Sequence, residues 1–190
     1  MESNITVKKF SVPAWLRLTL ISLVAAVSLA GTNLLTKDII ALHASEHTQM
    51  VMAALVPGAS SFVKQTLAAD SPLQNLTVAK KGDDTLAYIA TSVKQGYAGP
   101  IEILTAVDTN HVVLGISVGG SEFAETAGLG SLAKEEPFTS QYIGLSAPIT
   151  LSKEGGDNTI DAISGATITS TAVTDGVNES IAAIKEAEQK

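Results

Sequence analysis

Cysteine is absent from all 190 residues. That excludes disulfides, thiolate zinc sites, iron–sulfur ligation and cysteine nucleophiles within this chain. Histidine occurs three times, too few for a histidine-built metal centre. The i, i+4 pair His43 and His47 is more simply a solvated helix face than a chelate. Lysine and arginine are never clustered, and the net charge is −7 with a pI near 4.9. Phosphate-backbone binding needs a basic patch, so nucleic acid is excluded as a partner and the acidic balance is read as solubility. Charge of either sign is missing from Leu18 to Leu35.

That uncharged run, counted with its flanks as 14–35, is long enough as a helix to span a bilayer core of roughly 30 Å. It predicts a transmembrane helix with Trp15 at the inner interface. Lys8, Lys9 and Arg17 precede it, so the positive-inside rule places the N-terminus in the cytoplasm and everything after Thr36 outside. A cleaved signal peptide, with Ser28-Leu29-Ala30 as a weak cleavage site, is the competing reading. The run is longer than a signal h-region, which favours an anchor in membrane lipid. A buried core helix is a remoter third option. With 45% apolar residues the remainder can build one core. The expected organisation is a cytoplasmic lead at 1–13, the transmembrane helix at 14–35, a stalk helix at 36–58 ended by Pro57-Gly58, and a domain at 59–190.

Within that domain the texture is short strands and turns. Ser61 to Leu67 is expected as a short helix. Leu76 to Ala79 and Leu86 to Thr91 read as strands around the Lys80-Lys81-Gly82-Asp83-Asp84 turn, and Ile101 to Val107 and Val112 to Val118 around Asp108-Thr109-Asn110. Pro137 to Ile149 gives no clear assignment. Gly155 to Asn158 reads as a turn before a strand from Thr159 to Ile163. Val173, Val177, Ile181 and Ile184 mark one face of a C-terminal helix. The fold class is therefore α+β, a twisted antiparallel sheet with packed helices.

The most informative stretch is Asp161-Ala162-Ile163-Ser164-Gly165-Ala166-Thr167-Ile168-Thr169-Ser170. Small hydroxyl residues surround a Gly-Ala pair just before the last helix, with Ser170 as the expected N-cap. The unpaired amides and positive dipole end of such a helix favour a phosphate beside Thr167 to Thr171. A capped turn with no ligand would use the same residue types.

This decapeptide resembles the flavinylation motif Asp-x-x-Ser/Thr-Gly-Ala-Thr-x-Ser/Thr of the covalent FMN-binding domain found in the G subunit of Rnf electron-transport complexes and in the C subunit of the sodium-pumping NADH:quinone reductase. Two further stretches resemble the same family: Gly96-Tyr97-Ala98-Gly99-Pro100-Ile101, and Glu125-Thr126-Ala127-Gly128-Leu129-Gly130, where Ala127 replaces the family's proline and loses its backbone restraint. The resemblance implies that Thr167 carries FMN through a phosphodiester, installed by a flavin transferase that uses FAD. Ser164, Gly165, Ala166, Thr169 and Ser170 would surround the attachment. Main chain at Gly128 and Gly130 would approach the ring, with Leu129 against its face, Glu125 and Thr126 bonding its edge or bracing the loop, and Tyr97 as a wall. Asp161 would be read by the transferase, would orient the Ser164 loop, or is a plain surface carboxylate.

The family implies a membrane-anchored, extracytoplasmic electron carrier within an Rnf-type ferredoxin:NAD⁺ oxidoreductase coupled to Na⁺ or H⁺ movement. It would have no substrate pocket of its own. Membrane subunits A, D and E would be its neighbours, and peripheral subunits B and C indirect partners. The length favours the Rnf G subunit over the longer C subunit of the quinone reductase. An FMN carrier of another extracellular chain, and a non-redox anchored scaffold or binding domain, are the alternatives.

Overall fold

The computed structural model describes residues 13–68, 70–152 and 157–189. Lys8, Lys9, the rest of the lead up to residue 12, and Gly155-Gly156 lie outside the described residues. The first helix, α1, runs unbroken over Ala14–Leu55, 42 residues or about 63 Å at 1.5 Å per residue. Pro13 precedes it and its carbonyl accepts the amides of Leu16 and Arg17, the arrangement proline tolerates because it has no amide of its own to satisfy. The N-terminal part is long and apolar enough to cross a membrane, and Leu18, Leu20, Ile21, Leu23, Val24 and Val27 are all exposed. Thr19, Thr32 and Thr36 return their hydroxyls to carbonyls four residues back, which satisfies those hydroxyls within the helix itself. The chain divides into two compact units, 1–46 and 47–190.

The second unit is built on one five-stranded sheet whose strands lie in chain order: β1 (Ser61–Gln65), β2 (Leu73–Lys81), β3 (Asp84–Gln95), β4 (Pro100–Asp108) and β5 (Val113–Gly119). Every neighbouring pair is antiparallel. Ser61–Gln65 is thus a strand rather than the expected helix. Phe62 and Val63 fit either period over so short a run, and pairing with Lys80 to Leu76 of β2 decides it. Alternation along the strands sorts side chains to two faces. Ile101, Ile103 and Val107 of β4 point with Ala90 into the larger core, whereas Ala87, Ile89 and Ala106 meet Val56, Met52 and Leu55 on the opposite face. Gly115 of β5 lies under Leu55, where a Cβ would come within 2.9 Å of its Cδ2.

The larger core is closed by α3 (Thr167–Glu188). Val173, Val177, Ile181 and Ile184 are fully buried against the sheet, and each such side chain contributes on the order of 1.5–3 kcal/mol by leaving water. Gly176 lets the helix come close: a Cβ there would lie 2.6 Å from Ile103 Cδ1 and 2.9 Å from Ser92 Oγ. The Ser92 hydroxyl donates to the Gly176 carbonyl at 3.1 Å.

The connection from β5 to α3 fills the space beside this helix. It contains a 3₁₀ turn (Gly130–Lys134), the short α2 (Glu136–Thr139), a second 3₁₀ turn (Ser140–Tyr142) and a two-stranded parallel ladder of β6 (Thr150–Leu151) and β7 (Thr159–Ile160). The strand expected over Thr159 to Ile163 stops at Ile160, and 161–166 is loop. Phe138 and Tyr142 meet edge to face at 5.6 Å. The Tyr142 hydroxyl pairs with Thr174 Oγ1 at 2.8 Å, and burial pushes its pKa well above the usual phenol range. Asn178 bonds both the amide and the carbonyl of Ile149 at 2.8 Å, which fixes the segment to the helix.

Candidate functional site

The start of α3 is where the hydroxyl-rich stretch comes to lie. Gly165 takes a φ of +75°, a left-handed turn that glycine adopts without steric cost, and the Ala166 amide closes that turn on the Ile163 carbonyl at 2.9 Å. The helix then begins at Thr167, with Ala166 as its N-cap and no side-chain cap bond. Ser170 is therefore not the N-cap. It is buried one turn inside, where its hydroxyl accepts the Ile163 amide and donates to the Ala166 carbonyl, both at 3.0 Å. The glycine turn moves the helix start forward by four residues, from an expected N-cap at Ser170 to Ala166. The amides of Thr167, Ile168 and Thr169 precede the first intrahelical bond, which runs from the Ser170 amide to Ala166 and leaves the positive end of the helix without a capping side chain.

Two loops face this helix start. In the first, the Gly96 amide closes on the Gly99 carbonyl at 2.8 Å, which turns Tyr97 outward at 70% exposure. In the second, the amides of Leu129 and Ser131 both bond the Thr126 carbonyl, and Gly128, at a φ of +76°, donates its amide to Ser131 Oγ at 2.9 Å. These bonds close the loop with alanine at position 127. Ser131 is a residue that sequence reasoning misses; its three-residue spacing from Gly128 is the signal a turn reading offers.

A cleft of about 460 Å³ lies between these parts, lined by Tyr97, Glu125, Thr126, Leu129, Gly130 and residues 165–169. That falls within the roughly 300–1,000 Å³ of small-molecule sites. Thr167 is exposed to it, and Ile168 and Leu129 present apolar surface. Ile168, an unconstrained position of the motif, joins the wall because it follows Thr167 on the exposed side of the first turn. Ser164, Ser170 and Asp161 are not among the lining residues. The Asp161 side chain is exposed, while its backbone amide donates to Gln141 Oε1 at 2.7 Å. Gly130 lines the cleft yet is buried, and a Cβ there would collide with the Glu125 carboxylate and the Thr169 hydroxyl.

Residues 96–182 match the FMN-binding domain family. Over a longer span the sequence is 32% identical to the G subunit of the proton-translocating ferredoxin:NAD⁺ oxidoreductase complex of Clostridium ljungdahlii, covering 86% of each chain. The Na⁺-translocating counterpart of Acetobacterium woodii is 33% identical, again with 86% of each chain covered. The chain belongs to the G-subunit family of ion-translocating oxidoreductase complexes. The G subunit of the ion-translocating oxidoreductase complex of Methanosarcina acetivorans is likewise 31% identical over 86% of this chain and 89% of its own. Among solved structures, the C subunit of the Na⁺-translocating NADH-quinone reductase of Parabacteroides distasonis superposes with a TM-score of 0.51 at 22% identity, over 59% of this chain and 61% of that one. It shares the fold with this member of the G-subunit family. The cleft, the glycine turn and the helix start all fall inside the FMN-binding match.

Proposed function

We propose that this chain is a membrane-anchored electron carrier holding FMN covalently at Thr167, in an ion-translocating ferredoxin:NAD⁺ oxidoreductase complex. The observation that carries the reading is the exposed Thr167 hydroxyl at the first position of an uncapped helix, at the edge of the cleft. The residues fit the group. First-turn amides and the helix dipole suit a phosphate, while Leu129, Ile168 and Tyr97 offer the apolar walls a flat ring needs. When bound, FMN supplies one- and two-electron transfer.

Attachment replaces the O–H bond of Thr167 with an O–P bond to the FMN half of FAD. AMP is the leaving group, and a flavin transferase takes the proton, because a bare threonine hydroxyl is a poor nucleophile. Asp161 is the residue such an enzyme would read, a role consistent with its exposure outside the cleft. The N-terminal helix anchors the chain, with the N-terminus cytoplasmic and the FMN domain outside. Membrane subunits A, D and E are its direct neighbours in the complex.

The test is the protein produced with its transferase and run on a denaturing gel under ultraviolet light, followed by peptide mass spectrometry. A fluorescent band with FMN mass on the peptide containing Thr167 is expected, and its loss in Thr167→Ala. An unmodified peptide from the native host overturns the reading in favour of a non-redox anchored domain. A reporter fused after Lys190 is expected to be active only outside the cytoplasm.

A further inference from the structure

Glu125 holds a position that no turn or core role requires. It is half-buried, and its two carboxylate oxygens bond two different walls of the cleft. Oε1 accepts the Ala98 amide at 3.1 Å, in the loop that carries Tyr97. Oε2 accepts the Thr169 hydroxyl at 2.8 Å, in the first turn of α3 that carries Thr167. Those walls are 27 and 44 residues away from it in sequence.

The surroundings are cut to this carboxylate. A Cβ at Gly96 would overlap Oε1 and the Ile101 side chain, and one at Gly130 would overlap Oε2 and lie 2.8 Å from Thr169 Oγ1. Both glycines have negative φ and are absent from the left-handed set that includes Gly128 and Gly165. Backbone conformation therefore does not explain them, whereas room for the carboxylate does. Each oxygen accepts one bond, about half of a carboxylate's acceptor capacity, and charge-assisted bonds of this kind are among the stronger ones in a protein.

We infer that Glu125 is a positioning residue: a strut that fixes the distance between the Tyr97 loop and the Thr167 turn, and so the pose of what Thr167 carries. The inference that it sets the flavin's pose rests on the flavin reading; the strut itself does not. Its side-chain chemistry makes a sharp distinction. Glutamine at 125 has an oxygen for the Ala98 amide and an NH₂ that can donate to Thr169 Oγ1, so it keeps both bonds without the charge. Alanine keeps neither, and aspartate lacks the reach.

The chain contains no cysteine, so two introduced ones can be spin-labelled cleanly. The experiment places labels at Ala98→Cys and Thr171→Cys, both exposed positions, in the full-length protein in detergent and in a Thr167→Ala background that carries no flavin. Electron-spin distance distributions are expected to be narrow with Glu125 and with Glu125→Gln, and broader and longer with Glu125→Ala and Glu125→Asp. Thr169→Val severs one of the two bonds from the helix side. It is expected to broaden the distribution also, and decides the matter if Glu125→Ala does not fold. An unchanged distribution in Glu125→Ala, or in Thr169→Val where the former does not fold, overturns the strut. So does a Glu125→Gln distribution as broad as that of alanine.

In matured protein with Thr167 intact, the visible circular dichroism of the attached flavin is expected to match wild type in Glu125→Gln. It should be altered in Glu125→Ala at equal FMN mass, and an unaltered spectrum there overturns the role in setting the pose. If wild-type protein carries no FMN mass, the flavin reading and the pose fail together, while the label distances still decide the strut.

Discussion

The two ends of α3 are treated in opposite ways. At the N-terminal end no acidic side chain occupies the first turn and no side chain caps it, so the partial positive charge of the helix faces a cleft. At the C-terminal end Glu188 sits where the dipole disfavours a negative charge, and two neighbours hold it there. Tyr88 of β3 hydrogen-bonds it, and His111 from the β4–β5 turn pairs with it. At the closed end side chains from two elements of the sheet hold Glu188; at the open end the amides of Thr167, Ile168 and Thr169 have no capping side chain. The asymmetry is what the proposed phosphate site requires, an uncapped positive end beside a cleft.

Breaking the open end has the largest effect. Thr167→Ala is expected to remove all covalent flavin while shifting chemical-denaturation stability by less than about 0.5 kcal/mol, the usual range for an exposed position. If stability falls with the flavin, the open end is structural after all. Between the ends, Gly176→Val drives a side chain into Ile103 and Ser92 and is expected to cost about 1–3 kcal/mol, read by urea unfolding with covalent flavin retained. Tyr142→Phe leaves Thr174 Oγ1 its bond to the Ser170 carbonyl and removes the buried pair, at a cost of about 1 kcal/mol.

The smallest effect belongs to the closed end and shows as pH dependence. The Tyr88 hydrogen bond, ahead of the contact with His111, holds the Glu188 carboxyl below the usual carboxylate range. That contribution to stability is therefore present above the unfolded pKa and lost as pH falls through the folded one. Glu188 in turn raises Tyr88 to about 12, so the tyrosine's contribution is present below roughly pH 10 and lost as pH rises towards 12. Glu188→Gln is expected to lower the thermal midpoint slightly at neutral pH, with the gap to wild type closing at both extremes. The gap is small because the cluster is only partly buried at the surface. The phenolate absorbance of Tyr88 should then titrate nearer the ordinary tyrosine value. A gap that is constant from acid to alkaline pH would mean the closed end is not held by these charges.

Much of this architecture was legible in the residues. The β2–β3 and β4–β5 hairpins followed from apolar runs divided by Lys81-Gly82-Asp83 and Asp108-Thr109-Asn110, because turn chemistry and alternation are local. The face of α3 followed from Val173, Val177, Ile181 and Ile184 at helical spacing. Three things were not legible. Ser61–Gln65 is too short for its period to distinguish strand from helix, and only its partner β2 decides. The start of α3 lies at Thr167 because Gly165 turns the chain early and Ser170 spends its hydroxyl backwards, a competition between two plausible hydroxyl roles. The part played by Gly96, Gly130 and Thr169 around Glu125 depends on segments brought together only by the completed fold. Gly130 lines the cleft, and the room it leaves for the Glu125 carboxylate is a packing role that only the fold reveals.

Ser170 has one more consequence. By fastening the Ile163 amide and the Ala166 carbonyl from inside the helix, it ties the loop that precedes Thr167 to the helix that follows it. The bend at Thr167 is thereby braced from behind by the chain's own bonds, on the buried side, while the threonine itself stays on the exposed one.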